Sequence, residues 1–311
     1  MRATFRIALS AVAVTALLAT AMPAQAAGSG KQLGSPVVPG VKSRFWGASG
    51  SVLNYHGGPV MRTNSTFAIY WSPAGSTWQR GYTDSIDGYF NDVAADSGSG
   101  DNVYSTEMQY YDTRGHIGYR SSFAGSYVDH TAFPSNGCPA YGGFDVCLTD
   151  AQIIAEVHRV TRTLHLPEDG THAYFLFLPK SVGNCFDADG AVCAFTYYCA
   201  YHWFDGSLLY ATMPYAATVP ASCGLQGPNG GDADGTINVT SHEHREMIND
   251  PYGDAWWDNK GYEGSDKCAW TFGSPLGTTA NGPYNQVING HRYLLQREWS
   301  NATKRCVQRG V

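Results

Sequence analysis

The sequence predicts an α+β domain with a mixed sheet, flanking helices and disulfide staples. Three observations carry this. Aromatic and β-branched runs alternate with segments of helical periodicity. Eight cysteines follow an export-type leader. A charged, helix-like stretch, TSHEHREMINDP at 240–251, comes late in the chain. Strands and helices mixed in this way, without strict βα repetition, read as α+β.

Arg2 and Arg6 precede an apolar run from Ile7 to Leu18, and small residues follow, ending Ala24-Gln25-Ala26. This is the pattern of a secretory leader, which sets residues 1–26 apart as a signal peptide and predicts a secreted, extracellular protein. The run is shorter than the ~20 apolar residues a bilayer requires, and no later segment reaches that length, so no membrane partner is expected. Residues 27–50 are Gly/Pro-rich and weakly patterned, an extended N-terminal segment. The domain itself should occupy 51–311. Without the two leader arginines, 18 Lys/Arg face 26 Asp/Glu, a charge of −8. No basic cluster stands out, which argues against nucleic acid.

The elements follow in order. Residues 66–71 (TFAIYW) read as a buried strand closed by Ser72-Pro73. Ile86, Tyr89, Phe90 and Val93 recur at helical spacing within 84–95. Residues 103–111 are β-rich and end in a turn, Asp112-Thr113-Arg114-Gly115. A helix over 149–164 has Thr149 as its cap and Ile153, Ile154, Val157, Val160 and Leu164 as its apolar face. Residues 173–179 give the strongest central-strand signal, and shorter strands are expected at 195–201 and 208–215. Cysteine pairing in sequence order, Cys138 with Cys147, Cys185 with Cys193, Cys199 with Cys223 and Cys268 with Cys306, closes the shortest loops. No Cys-x-x-Cys spacing suggests a cysteine zinc site.

The stretch 240–251 resembles an H-E-x-x-H zinc helix whose second histidine is Glu246. On a helix, His242 and Glu246 share one face and can clasp one ion, and Glu243, about 100° around, can reach the attacking water as a base. Carboxylates are legitimate zinc ligands, so Glu246 fits. His244 points away from that face. A third ligand is expected from the segment Gly261–Cys268, with Glu263 the first choice and Asp266 the second. The one not on the metal would orient His242. The competing reading is a solvated, charged helix face.

The blocks YHGGPVM (55–61), Ile69-Tyr70-Trp71, YCAYH (198–202) and SHExxE (241–246), followed by Asp250-Pro251, Trp256 and Glu263-x-x-Asp266-x-Cys268, resemble the EXORDIUM / phosphate-induced protein 1 family. The match runs in order from about 52 to 270. The resemblance implies a secreted single-domain protein, placed by plant members at the cell wall and linked there to growth. It makes Glu246 the family's own pattern and implies no particular reaction.

Together these readings predict a zincin-like, zinc-dependent hydrolase, most simply a peptidase. His242, Glu246 and Glu263 or Asp266 would hold Zn2+, and Glu243 would act as base. His56, His202, Trp256 and Tyr262 are lesser candidates for contacting substrate. Against that, His56 also fits a turn, His202 flanks a disulfide, and the aromatics fit a core. The expected partner is an extracellular peptide, protein or cell-wall polymer, met by a monomer. Two other readings stay open: a non-catalytic extracellular module with a structural metal, and a glycoside hydrolase using the same carboxylates.

Overall fold

The run at 66–71 lies within β1 (Asn64–Trp71), and the computed structural model describes residues 51–139 and 141–310. The leader (1–26) and the N-terminal segment (27–50) lie outside the described residues. After β1 come α1 (Tyr82–Ala95), β2 (Ser121–Asp129), α2 (Asp150–Leu164), β3 (His172–Phe177), β4 (Tyr201–Asp205), β5 (Leu208–Met213) and α3 (Ala233–Asn249). The five strands form one sheet in the order β2-β1-β3-β5-β4. The first three joins are parallel, and β4 runs antiparallel to β5. The described residues belong to one compact unit.

Burial follows position in the sheet. β1, β3 and β5 are buried along almost their whole length, as parallel strands covered on both faces should be. β2, at one edge, alternates half-buried with exposed residues. On one face α2 docks through its N-terminus, where the Tyr201 and Tyr210 hydroxyls both donate to Asp150 Oδ1, at 2.7 and 2.6 Å. Its start carries the expected cap: the Thr149 side chain and Gln152 form a reciprocal capping box.

The other face is set by a single row across the sheet, Ala68, Phe175, Ala211 and His202. Two alanines in that row leave room for a helix, and α3 takes it, packing against β4, β5 and α1. Strand alternation sends Tyr201 to the α2 side and its neighbour His202 to the α3 side. Every residue of α3 is buried, so the solvated-face reading is wrong. Each charged or polar side chain must then find a partner inside. His244 takes the Tyr104 hydroxyl at Nδ1 (3.0 Å) and Asn64 Oδ1 at Nε2 (2.9 Å), edge-on to Phe90 and Phe175. Arg245 ion-pairs with Glu298, and Asn249 donates to Glu107 Oε2 at 2.7 Å.

Two expected strands are corrected. Val103–Gln109 is a 3₁₀ helix, because Asn102 Oδ1 accepts from the Tyr104 amide and the Ser105 hydroxyl donates back to the Asn102 carbonyl. Local side-chain bonds of this kind offer the backbone an alternative to a sheet ladder. Residues 195–200 are loop, pinned between the Cys185–Cys193 and Cys199–Cys223 bridges, and the strand begins only at Tyr201. All four bridges pair in sequence order.

Candidate metal centre

The C-terminal half of α3 carries His242, Glu243 and Glu246 towards β4 and towards the segment after the helix. The Asp250 amide closes the last turn on the Glu246 carbonyl at 2.7 Å, and Asp250 Oδ1 then takes the Ala255 amide at 2.6 Å, turning the chain back. The YHGGPVM block braces this turn: the His56 and Gly58 amides donate to the Ala255 and Asp254 carbonyls. Gly58 has to be glycine, since a Cβ there would lie 1.8 Å from Asp254 Oδ1. Returning, the chain forms a 3₁₀ turn at Asp266–Cys268, and Cys268–Cys306 fastens that turn to the C-terminal segment.

Glu263 and Asp266 are thereby brought to the helix. His242 Nε2 lies 3.1 Å from Glu246 Oε1 and 3.5 Å from Asp266 Oδ1, and the Asp266 amide donates to Glu246 Oε1 at 2.9 Å. From β4, His202 Nδ1 stands 3.2 Å from Glu243 Oε2 and 3.9 Å from Glu246 Oε2, while its Nε2 stands 3.8 Å from Glu263 Oε1. None of these six side chains is more than 3% exposed. They form two overlapping triads able to hold an ion, His242 with Glu243 and Glu246, and His202 with Glu246 and Glu263.

The hydrogen bonding within the cluster is incomplete. His242 Nε2, Glu246 Oε2 and Asp266 Oδ1 are buried without a hydrogen-bond partner, although the distances are short. Most buried polar groups in proteins are paired, and three unpartnered atoms at one point leave room for a further ligand. The His242 tautomer explains part of it. Gln296 Oε1 can only accept, so His242 Nδ1 donates to it at 3.1 Å, which turns Nε2 to the carboxylates. A histidine with Nδ1 fixed and Nε2 aimed at carboxylates is arranged as a metal ligand.

The electrostatics agree. Burial alone would lower the His242 imidazole, but Glu246 and Asp266 outweigh it and hold its pKa well above the usual value. Burial, then repulsion from Asp266, raises Glu246 to about 8, and burial also raises Asp266. Carboxyls in this state hold protons that a cation would displace. Two positions from His242, His244 behaves oppositely: burial, then Arg245, lowers it to about 3, a neutral core histidine.

The expected residues divide. His242, Glu243, Glu246, Glu263 and Asp266 converge, so both downstream carboxylates reach the cluster. The group at His242 Nδ1 is Gln296, and neither Glu263 nor Asp266 takes that place. His202 is a full member of the cluster. Tyr262 is half-buried, its phenol raised by burial and then by Asp266 and Asp258. His56 is exposed and stacks on Trp257 at 3.5 Å, and Trp256 packs among Tyr55, Tyr110 and Tyr111, so both serve the brace. The sequence reading missed Gln296 and Glu298. Their signal was two polar residues set at period two among Leu294, Leu295 and Trp299. Gly264 makes room for Glu298, since a Cβ there would lie 1.9 Å from Glu298 Oε1.

Comparison with known proteins bears on the whole chain. Protein EXORDIUM-like 3 of Arabidopsis thaliana is 26% identical, covering 89% of this chain and 89% of its own length. Protein EXORDIUM-like 5 of the same plant is 27% identical, covering 85% of this chain and 79% of its own. The chain is thus similar to EXORDIUM-like proteins along most of its length. No family model matches it, and no solved structure matches it. Among the described residues no helix is long and apolar enough to cross a membrane.

Proposed function

We propose that this EXORDIUM-like protein is an exported, metal-dependent hydrolase of zincin-like design, acting on extended peptide. The single observation that carries this reading is the placement of His242 Nε2, with Nδ1 held by Gln296 and Nε2 turned to Glu246 and Asp266, all these atoms buried. A divalent cation, most simply Zn2+, would supply Lewis-acid polarisation of a carbonyl and a more acidic water. His242, Glu246 and Asp266 would hold it. Glu243 lies beside them, oriented by His202 Nδ1 at 3.2 Å, and would take the proton from the attacking water and deliver it to the leaving nitrogen.

The sheet supports the choice of peptide. β4 is the edge strand of the sheet and pairs only with β5 among the described residues, so an extended chain would add at this edge, on the strand that carries His202. The leader and four disulfides support export.

One observation favours a second reading, a structural metal in a non-catalytic module. The cluster is almost wholly buried, and surface cavities of about 610, 210 and 350 Å³ are lined by other residues. Glu243→Gln separates the two. With metal loaded, the wild type should cleave a mixed peptide library in a chelator-sensitive way, and the variant should keep its metal and lose cleavage at least 100-fold. A metal-loaded wild type that cleaves no peptide leaves only the structural reading.

A further inference from the structure

Resting on the metal-centre reading above, we propose that the cluster is built for two divalent cations bridged by Glu246. The two oxygens of Glu246 serve different histidines. Oε1 lies 3.1 Å from His242 Nε2 and accepts from the Asp266 amide, whereas Oε2 lies on the His202 side, 3.9 Å from its Nδ1, and has no hydrogen-bond partner despite complete burial. One carboxylate shared between two triads, with one oxygen nearer each histidine, fits a bridging ligand, and paired ions stand about 3.5–4 Å apart in two-metal sites.

The two histidines approach Glu246 from different elements. His242, from α3, donates Nδ1 to Gln296 and presents Nε2 to Glu246 and Asp266. His202, from β4, donates Nδ1 to Glu243 and presents Nε2 to Glu263 at 3.8 Å. His202 thus has Nδ1 taken by Glu243 and Nε2 turned to Glu263, and ligand atoms of His202, Glu246 and Glu263 all lie within 4.8 Å of one another. This also gives Glu263 and Asp266 separate posts, explaining why two carboxylates three residues apart both turn inward.

Charge points the same way. Glu243, Glu246, Glu263 and Asp266 place four carboxylates around two imidazoles in a buried site, while the nearby cations Arg245 and Lys267 ion-pair with Glu298 and Asp258. A single divalent ion balances half of that charge, and two balance all of it.

The test is stoichiometry. The full-length secreted protein is stripped with chelator, then titrated with Zn2+ by calorimetry and with Mn2+ by electron paramagnetic resonance. The expected result is two ions per chain and a spin-coupled Mn2+ pair. His202→Ala should reduce the count from two to one and abolish the coupling while His242 keeps its ion. Glu263→Gln should do the same should the alanine variant fail to fold. One ion per chain in the wild type overturns the two-ion proposal and leaves the hydrolase reading standing, whereas none overturns both.

Discussion

Two histidines two residues apart on α3 do opposite work. His244 is kept neutral by burial and Arg245 and hydrogen-bonds Tyr104 and Asn64, whereas His242 donates Nδ1 to Gln296 and turns Nε2 to carboxylates. Replacing His244 with leucine should leave buried polar atoms unsatisfied and destabilise the protein by about 1–3 kcal/mol, read by urea unfolding, with metal content unchanged. Replacing Gln296 with leucine should do the reverse, lowering metal affinity about 10- to 100-fold in competition titrations while the fold persists. The sequence alone could place His242, Glu243 and Glu246 together, because helical spacing is local and regular. It could not separate Glu263 from Asp266, nor recruit His202 and Gln296. These residues meet the helix through sheet register and a long return of the chain, which no local pattern encodes.

Among the elements, legibility tracks burial. Helices α1 and α2 and strands β1 and β3 are plain in the sequence because each shows one apolar periodicity. α3 is plain only as a motif: a helix buried all round with polar partners has no apolar stripe to read. The 3₁₀ turn at Val103–Gln109 was hidden by residues of high strand propensity, which Asn102 overrides. Two element-scale tests follow. Thr149→Ala removes the α2 capping box and should cost about 1 kcal/mol without touching the metal centre. Replacing Cys268 and Cys306 together with alanine should cost about 2–4 kcal/mol in unfolding. Unlike the α2 change, it should also weaken metal binding, because that bridge holds the turn carrying Asp266 beside α3.

For the whole molecule, the centre links pH, metal and stability. In the cation-free protein Glu246 keeps its proton up to about pH 8, against an ordinary value of 4.5. Between these values the folded state binds more protons than the unfolded one, so stability is fully present below about 4.5 and falls as pH rises towards 8. A bound cation replaces those protons and stabilises the folded state by mass action. The melting temperature of chelator-treated protein should therefore decline across that window, that of metal-loaded protein should not, and the gap should be widest near its upper end. The most direct test of the central claim is anomalous X-ray scattering at the zinc edge from crystals of metal-loaded protein. The account predicts a peak about 2.0–2.1 Å from His242 Nε2, within ligand distance of Glu246. No peak at the cluster, with His242 Nε2 hydrogen-bonded directly to Glu246, would contradict it.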